Sequence, residues 1–499
     1  MKNKSLRALV ASAAVAASIV TATAATASVS SRAATPHALP TCSSSYVTTS
    51  KSPINITFWE SMPKSIQGGT GNYGSIDNLV KAFNAAYSGK IKVTDVNQSG
   101  GYGQTWTDYV NSLATHSSPN VVMFDQYNAQ SAADTKSILP VSTCIKNNSF
   151  STSTFSAKVK GAYTVKGSMV GMPYSASVPV MYYNKQAFAF AHIAAPPTTM
   201  AQLLADQTKL KATHWAYSKK AQCAGKASCS GTYKYGVSIK YDPWEISTWL
   251  GMADKPEVNN SNGHTSRATS VSFNNSTAQA YVRDLQKVAK AGGGLNVYNP
   301  TSSSINVAYG NLFDVANNLS AITFDTTAAL GSIQSLLGLF QNVTLGIAPL
   351  PTETGSMAGS APPGGNGLFI NSSSSTSAQQ AASWVFISWL ESAKNRATWD
   401  YETGYLPIRT DEIAAWSALQ KSPAQKAWYV VGYNALTKGK VDTSTEGPLL
   451  GPYNQVNNDI TFGLQTAFTS PYPSVNTALA TAASKANSDI KSYNASVGP

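Results

Sequence analysis

Aromatic residues recur beside carboxylates, amides and small polar residues at five places along the chain. These places are residues 58–60, 100–104, 124–127, 241–245 and 403–405. A flat ring offers an apolar, polarisable surface to the C–H face of a sugar, and neighbouring Asp, Glu, Gln and Ser side chains can hydrogen-bond its hydroxyls. A single aromatic residue is more often part of a core, so the repetition of the pattern is what indicates a site for a hydroxylated ligand.

Motifs typical of catalysis are absent from the sequence. The five histidines are scattered, with no H-E-x-x-H motif and no Cys/His spacing that fits zinc. Neither a G-x-S-x-G turn nor a P-loop occurs. Spacing does not exclude a carboxylate pair for glycoside cleavage, drawn from Glu60, Asp125 and Glu245, because such pairs meet only in three dimensions. We expect no catalytic residue, no metal and no cofactor, and we keep a secreted carbohydrate-active enzyme and an adhesion module as alternatives.

Composition sets the broad class of the protein. The 499 residues carry 36 Lys and Arg against 24 Asp and Glu, a net charge of +12. Only 12% of residues are charged, about half the usual fraction, while 42% are hydrophobic, so the chain can bury a sizeable core. The cations are spread thinly, with no run of five or more, which argues against a nucleic-acid partner.

The first residues are typical of an export signal. Lys2, Lys4 and Arg7 precede an apolar stretch, and residues 25–27 offer an A-x-A cleavage site. We therefore assign residues 1–27 to a signal peptide, and residues 28–52, rich in Ser, Thr, Pro and Ala, to a tether. The mature protein is expected to be secreted or held at the extracellular face of the cell membrane.

The four cysteines of an exported chain are expected to be oxidised. Cys223 and Cys229 enclose a short loop, and their proximity favours pairing. By elimination Cys42 pairs with Cys144, which would attach the tether to the first lobe. The competing interpretation makes Cys42 a lipid-modified terminus, and it is weaker because Pro40 and Thr41 replace the usual small residues before such a cysteine.

Hydrophobic periodicity predicts the elements that carry these residues. A strand over 54–59 is followed by a helix with Ile76, Leu79, Val80 and Phe83 on one face. Further predicted elements are strands 91–93, 121–124, 178–183 and 316–324, helices 106–113, 199–210, 278–289 and 381–397, and a Gly/Pro-rich loop over 355–367. The alternation of strand and helix indicates an α/β fold with a mainly parallel sheet.

Six short segments occur in the order found in one known family: residues 58–59, 172–185, 196–199, 348–351, 364–365 and 403–408. Together they resemble the extracellular solute-binding proteins of ATP-binding-cassette importers that take up carbohydrates, and most of all the glycerol-3-phosphate-binding subfamily. The most specific pieces are Tyr-Tyr-Asn-Lys at 182–185 and Thr-Gly-Tyr-Leu-Pro at 403–407. The resemblance runs from Pro53 to about Ser492.

The resemblance implies the two-lobed type II fold of periplasmic binding proteins, with the ligand in a cleft between α/β lobes and three hinge crossings. The crossings would fall near 174–178, near Thr323 and near 364–367. Lobe 1 would comprise 53–176 plus 324–365, and lobe 2 would comprise 177–323 plus 366–499. Such a monomer closes on its ligand and delivers it to permease subunits without doing chemistry.

The aromatic pattern and the resemblance together imply ligand contacts from Trp59, Glu60, Tyr102, Asp125, Gln126, Ser177, Trp244, Thr326, Thr327, Gly365 and Tyr405. Where the phosphate-binding relative uses an arginine, this chain has Leu449. Because guanidinium is the preferred planar partner of phosphate, its absence favours a neutral sugar or oligosaccharide. A glycerophosphodiester or sugar phosphate is the alternative ligand.

Overall fold

The computed structural model describes residues 39–62, 72–219, 223, 225–297, 310–335 and 343–498. The predicted signal peptide, residues 1–27, lies outside the described residues. The strands are β1 Ile54–Glu60, β2 Ile91–Asn97, β3 Val121–Asp125, β4 Ile138–Leu139, β5 Thr164–Val165, β6 Ser168–Met169, β7 Met172–Ser177, β8 Pro179–Asn184, β9 His214–Tyr217, β10 Cys229–Thr232, β11 Ser238–Tyr241, β12 Gly294–Val297, β13 Ile322–Thr326, β14 Leu345–Ala348 and β15 Gly364–Asn371.

The helices follow the same order along the chain. They are α1 Ser45–Thr48, α2 Asn72–Ala86, α3 Gly101–Ala114, α4 Ala129–Asp134, α5 Val141–Asn147, α6 Ala157–Ala162, α7 Lys185–Phe190, α8 Met200–Ala212, α9 Pro243–Met252, α10 Asn259–Asn262, α11 Ser276–Lys290, α12 Gly310–Ala316, α13 Ala329–Ser335, α14 Ser377–Leu390, α15 Ala393–Thr403, α16 Ile413–Leu419, α17 Pro423–Thr437, α18 Thr443–Glu446, α19 Tyr453–Phe468 and α20 Val475–Val497. A single 3₁₀ turn, Gln126–Asn128, follows β3.

A six-stranded sheet forms the first half of the fold. Its order is β2-β1-β3-β15-β4, with β7 paired to β15. β1 is parallel to β2 and β3, and β15 runs antiparallel to both β3 and β7. The carboxyl ends of β1, β2, β3 and β7 therefore lie at one edge of the sheet, where β15 begins.

Helices close this first sheet as the apolar periodicity predicts. Ile76, Val80 and Phe83 are buried, and the ring of Phe83 contacts that of Phe386 in α14 at 4.9 Å. α14 packs on β1, α2 on β2 and α3 on β3. The predicted α/β class of this region is confirmed, because each parallel strand is covered by a helix.

The second half of the fold is built on smaller sheets. β8 lies between β13 and β14 and is antiparallel to both, while β11 pairs in parallel with β12. A bridge between Val237 and Ile322 joins the two pairings. α11 packs against α8, α9, α19 and α20, and α17 packs against β8 and β14. We call the part of the fold built on the six-stranded sheet the first region, and the part built on the smaller sheets the second region.

The expected lobe bounds stay a prediction, and the strand pairings do not follow them throughout. β14 and the last residues of β13 belong to the segment 324–365 that was expected in lobe 1, and both strands pair with β8 of the second region. β15 begins in that segment and continues into the part expected in lobe 2, and it pairs with β3 of the first region. Thr323, expected near a hinge crossing, lies inside β13. The chain changes sheet between β7 and β8, next to the crossing expected at 174–178, and again between β14 and β15, just before the crossing expected at 364–367.

Three predicted element boundaries are also wrong. The expected strand over 316–324 is the end of α12 followed by β13. The expected helix over 381–397 is interrupted, because Ser392 caps a new helix by accepting a hydrogen bond from the Asn395 amide. The expected loop over 355–367 ends early, at the start of β15.

The amino-terminal segment is folded rather than extended as a tether. Residues 39–52 include α1, which packs on α14, and Lys90 Nζ donates to the carbonyl oxygens of Thr48 and Ser50 at 3.1 and 3.2 Å. The disulfide between Cys42 and Cys144 attaches the segment to α5. The second disulfide joins Cys223 to Cys229, so both predicted pairings are confirmed.

Candidate functional site

The carboxyl edge of the first sheet collects several of the predicted site residues. Asp125 ends β3 and Ser177 ends β7. Across the antiparallel pairings, Asn366 lies opposite Asp125, and Gly364 lies opposite Ser177. In open α/β sheets ligands bind beyond the carboxyl ends of the strands, so this edge is where a site is expected.

Two predicted tyrosines meet at this edge. The hydroxyls of Tyr102, in the first turn of α3, and Tyr405, after α15, lie 2.9 Å apart. Asn366 Nδ2 donates to the Tyr102 hydroxyl at 2.8 Å, while its Oδ1 is buried without a hydrogen-bond partner among the described residues. The Tyr405 ring stacks on Trp399, with centroids 6.1 Å apart and planes at 15°. Both phenols are therefore held in place by side chains from other elements.

Asp125 and Gln126 have different orientations although they are adjacent. Asp125 Oδ1 accepts the Tyr127 amide at 2.9 Å and caps the 3₁₀ turn. Gln126 Nε2 donates to the Pro363 carbonyl oxygen at 2.9 Å, which ties the end of β3 to the residue that precedes β15. Burial, together with the nearby Asp242 carboxylate, raises the pKa of Asp125 to about 7, although the hydrogen bond from the Tyr127 amide opposes the rise.

Trp244 forms an aromatic wall against the start of β15. Asp242 caps α9 by accepting the Trp244 amide at 3.0 Å, and Pro243 begins the helix. A Cβ atom on Gly364 would lie only 2.2 Å from the Trp244 ring, so the ring needs a glycine at this position. Trp244 Nε1 is buried and finds no hydrogen-bond partner in the described part of the chain.

A stacked tyrosine pair and a carboxylate complete the site, and sequence reasoning missed most of them. Tyr127 and Tyr453 stack with centroids 4.1 Å apart and planes at 11°. Glu257 accepts a hydrogen bond from Ser247 Oγ at 2.5 Å, and burial raises its pKa to about 7. Burial raises the pKa of both phenols, and the nearby carboxyls of Glu257, Asp125 and Asp242 add to the rise. Tyr453 and Glu257 belong to no motif, and no sequence signal would have found them.

Ser177 and Gly365 lie at the crossing between the regions. Gly365 has φ of +130°, and a Cβ there would lie 2.3 Å from the carbonyl oxygen of Ser175. Only glycine fits this conformation and this close approach. Ser177 is buried next to the crossing, at 4% exposure. Their roles as ligand contacts stay predictions.

Other predicted contacts are engaged in structural hydrogen bonds. Glu60 accepts from the Met62 amide at 2.6 Å and from Asn97 Nδ2 at 2.7 Å, and these bonds join the ends of β1 and β2. Trp59, on the same strand, is partly buried against the core. These contacts hold the strand ends together, and the roles of Glu60 and Trp59 as ligand contacts stay predictions.

The two predicted threonines stabilise the crossing between β7 and β8. The amide and the hydroxyl of Thr327 form hydrogen bonds with the backbone of Val178, at 3.0 and 3.3 Å. The carbonyl oxygen of Thr326 accepts from the Tyr182 hydroxyl at 2.8 Å. Any contact with a ligand would come in addition to these bonds.

Few cations among the described residues act on the carboxyls of the site. Leu449 is buried, and its amide donates to the Asn262 carbonyl oxygen at 2.9 Å. The cation that acts on the site carboxyls is Lys240, whose Nζ lies 3.4 Å from Asp325 and whose charge opposes the rise in pKa at Asp242 and Glu245. Within the described ranges, no three His, Cys, Asp or Glu side chains form a group that could hold a metal ion. The arrangement offers hydrogen-bond acceptors and aromatic surfaces suited to hydroxyl groups and C–H faces.

The helices of the described residues include none that is long and apolar enough to span a bilayer. A family model described as "Bacterial extracellular solute-binding protein" matches residues 78–427. This match covers most of the chain and all the site residues named above except Trp59, Glu60 and Tyr453.

Curated proteins and solved structures give concordant similarities. The sn-glycerol-3-phosphate-binding periplasmic protein UgpB of Pectobacterium atrosepticum is 26% identical over 377 residues, which cover 74% of this chain and 75% of that protein. The GacH receptor of Streptomyces glaucescens, solved unliganded and with acarbose, superposes with a TM-score of 0.67 at 16% identity over 88% of this chain and 99% of its own. UgpB of Mycobacterium tuberculosis, in complex with glycerophosphocholine, gives a TM-score of 0.61 at 18% identity over 88% and 98%. These structures share the predicted two-lobed fold.

Proposed function

The chain belongs to the bacterial extracellular solute-binding protein family, and from this premise we propose that it captures a neutral sugar or oligosaccharide for an ATP-binding-cassette importer. The two regions act as the lobes of the binding protein. Ligand held between them favours a closed form, which delivers the ligand to the permease subunits. The protein binds its ligand without turning it over.

The observation that carries this proposal is the composition of the carboxyl edge. Tyr102, Tyr405 and Trp244 supply aromatic surface, and Asp125 and Gln126 supply hydrogen-bonding groups for hydroxyls. Buried polar atoms without a partner among the described residues, such as Gln126 Oε1 and Trp244 Nε1, suit a ligand that brings its own donors and acceptors. Unpaired buried polar groups are costly, so a hydroxylated ligand would relieve this cost.

The second candidate ligand is a glycerophosphodiester or sugar phosphate. It is favoured by the similarity to proteins named for glycerol 3-phosphate binding and to one solved with glycerophosphocholine. Leu449 argues against it, because a buried leucine cannot replace the guanidinium that clamps a phosphate. Burial of an unpaired phosphate would cost several kcal/mol.

We propose that the mature protein works outside the cell without a lipid anchor on Cys42. The sulfur of Cys42 is bonded to Cys144, so it cannot also carry a thioether-linked lipid. The export signal predicted over residues 1–27 fits this location. Intact-mass analysis should give a mass without a diacylglyceryl group and two hydrogens lower for each disulfide.

A thermal-shift screen over mono- and oligosaccharides and glycerophosphodiesters tests the proposed function. A ligand at 100 times its Kd stabilises the folded state by about 2.7 kcal/mol, which is readily measured. We expect neutral saccharides to raise the melting temperature, and chromatography of the incubated saccharide to show no product. Stabilisation by phosphodiesters alone would favour the second candidate, and the appearance of product would favour an enzyme.

A further inference from the structure

An arginine, an aspartate and a tyrosine join the two regions away from the tyrosine site. Arg267 Nη1 and Nη2 donate to the two carboxylate oxygens of Asp134 at 2.7 and 2.6 Å. The Tyr493 hydroxyl donates to Asp134 Oδ2 at 2.9 Å, and Gln130 Nε2 donates to Oδ1 at 2.9 Å. The Asp134 and Arg267 side chains are only 7% and 17% exposed. We call Asp134, Arg267 and Tyr493 the clasp.

The members of the clasp come from opposite sides of the fold. Asp134 ends α4, which follows β3 and packs on β5 in the first region. Arg267 lies between α10 and α11, and Tyr493 lies on α20, which packs on α11 and α19. The hydrogen bonds that Arg267 and Tyr493 donate to Asp134 therefore cross the boundary between the two regions.

The last helix also fixes the loop that presents Arg267. Asn494 Nδ2 donates to the Ala268 carbonyl oxygen at 2.9 Å. Asn487 Oδ1 accepts the Val271 amide at 2.8 Å. Because the loop is held at two points by the helix that carries Tyr493, the arginine and the phenol move as one unit. A planar, bidentate guanidinium held in this way loses little further entropy when it meets a carboxylate.

We infer that this clasp is a closing contact between the lobes, and that Arg267, Asp134 and Tyr493 set ligand affinity by stabilising the closed form without touching ligand. The inference rests on the proposed capture by hinge closure. The apparent affinity of a binding protein is proportional to the fraction of molecules in the binding-competent form. Loss of the clasp should therefore lower that fraction and weaken binding by the same factor.

The test uses spin labels on the unliganded protein. Cysteines placed at Lys146 on α5 and Thr208 on α8, both exposed, accept nitroxide labels, while the four native cysteines are paired. Double electron–electron resonance then gives the distance distribution between the regions. We expect a short-distance population that Arg267→Ala lowers at least threefold. Circular dichroism establishes that each variant is folded.

Two further variants keep the test decisive. Tyr493→Phe removes one hydroxyl only, and we expect a smaller decrease in the same population. This variant carries the test if Arg267→Ala unfolds the protein. Arg283→Ala is the matched control, since Arg283 Nη1 donates to Asn476 within the second region, and we expect an unchanged distribution. Identical distributions in the parent, Arg267→Ala and Tyr493→Phe would overturn the inference. Because no saccharide is present, this outcome is independent of whether the protein binds saccharides.

Discussion

Two clusters of buried or partly buried carboxyl groups lie within the first region and at its edge, and they differ in whether a cation pairs with them. In the first cluster, Arg396 is fully buried, and Asp400 accepts its Nη2 through both oxygens at 3.1 and 3.2 Å. Arg396 Nε donates to Glu412 Oε2 at 3.3 Å, and the Tyr174 ring lies 5.0 Å from the guanidinium. Burial raises the pKa of the third carboxyl, Glu391, to about 8, and Arg396 opposes this rise.

The second cluster consists of Asp125, Asp242 and Glu257 around the stacked tyrosines. None of the three forms an ion pair within 4.0 Å with a residue that the structure describes. The Lys240 ammonium lies 3.4 Å from Asp325, and its charge opposes the rise in the pKa of Asp242. Glu257 is buried and Asp125 and Asp242 are partly buried, and each of the three accepts a hydrogen bond from a backbone amide or a hydroxyl.

We interpret the difference as one between carboxyls that stabilise the fold and carboxyls that are available to a ligand. In the first cluster a guanidinium offsets the buried carboxyls, although both Glu391 oxygens and Arg396 Nη1 have no hydrogen-bond partner among the described residues. Carboxyls that are removed from water without a cation cost free energy unless they are protonated or receive a partner. The Arg396 cluster also supports the site, because Tyr174 contacts Trp399 at 5.1 Å, and Trp399 stacks on Tyr405. The paired cluster therefore helps to position the site, and we propose that the second cluster binds ligand hydroxyls.

The largest effect is expected from Arg396→Met. Removal of the guanidinium leaves Asp400 and Glu412 buried without their cation, which should lower the free energy of unfolding by about 3–5 kcal/mol. Urea denaturation measures this change. Lys240→Met removes the cation next to the second cluster and is the comparison variant. We expect a smaller loss of unfolding free energy, because Lys240 is partly exposed and its contact with Asp325 is longer. Equal losses would show that the two clusters do not differ.

The aromatic walls of the site should carry the next largest effect. Trp244→Ala and Tyr405→Ala should each weaken saccharide binding by about 1–3 kcal/mol, the range for buried aromatic anchors. Calorimetry measures the affinity, and thermal melting establishes that the variants are folded. Trp215→Ala, which removes a partly buried ring in β9, is the control and should leave the affinity unchanged. Retained affinity in both stable site variants would place the ligand elsewhere.

A smaller effect is expected from Asp125→Asn, in the pH dependence of stability. Folding raises the pKa of Asp125 from 3.8 to about 7, so the folded state binds this proton more tightly than the unfolded state. The contribution of Asp125 to stability is complete below about pH 4 and is lost as the pH rises through about 7. Asp125→Asn should remove about 1 kcal/mol of the decline in unfolding free energy between pH 5 and pH 8, since relaxation moderates buried charge.

Urea titrations at several pH values measure this slope. Glu257→Gln should reduce it in the same direction, because burial raises the pKa of Glu257 to about 7 as well. A slope that neither substitution changes would mean that the second cluster is paired in solution, and the contrast with the Arg396 cluster would disappear.

Local features of the site could be predicted from the sequence because they depend on chain neighbours. Tyr102 and Asp125 follow predicted strands, and the carboxyl ends of parallel strands share one edge. The contacts of Asn366 with Tyr102 and of Tyr127 with Tyr453 join residues far apart in the sequence. No local pattern encodes such pairs.

The sheet that each strand joins could not be predicted, because strand pairing depends on contacts between distant parts of the chain. β15 begins with Gly364 and Gly365, so the sequence there indicates a loop. Its pairing with β3 and β7 is decided by the fit of backbone and side chains in three dimensions. Glu60 is predicted in the site for its aromatic neighbour, and this role stays a prediction; its bonds to Met62 and Asn97 hold the strand ends together.

Calorimetric titration with a neutral saccharide from the screen, beside glycerol 3-phosphate, tests the central claim most directly. The uncompensated carboxyls and Leu449 disfavour an anion and leave hydroxyl binding as the main interaction. The account predicts one-to-one binding of the saccharide with a Kd of roughly 1 μM, about −8 kcal/mol, and no binding of glycerol 3-phosphate. Tight binding of glycerol 3-phosphate, with no binding of any neutral saccharide, would contradict it.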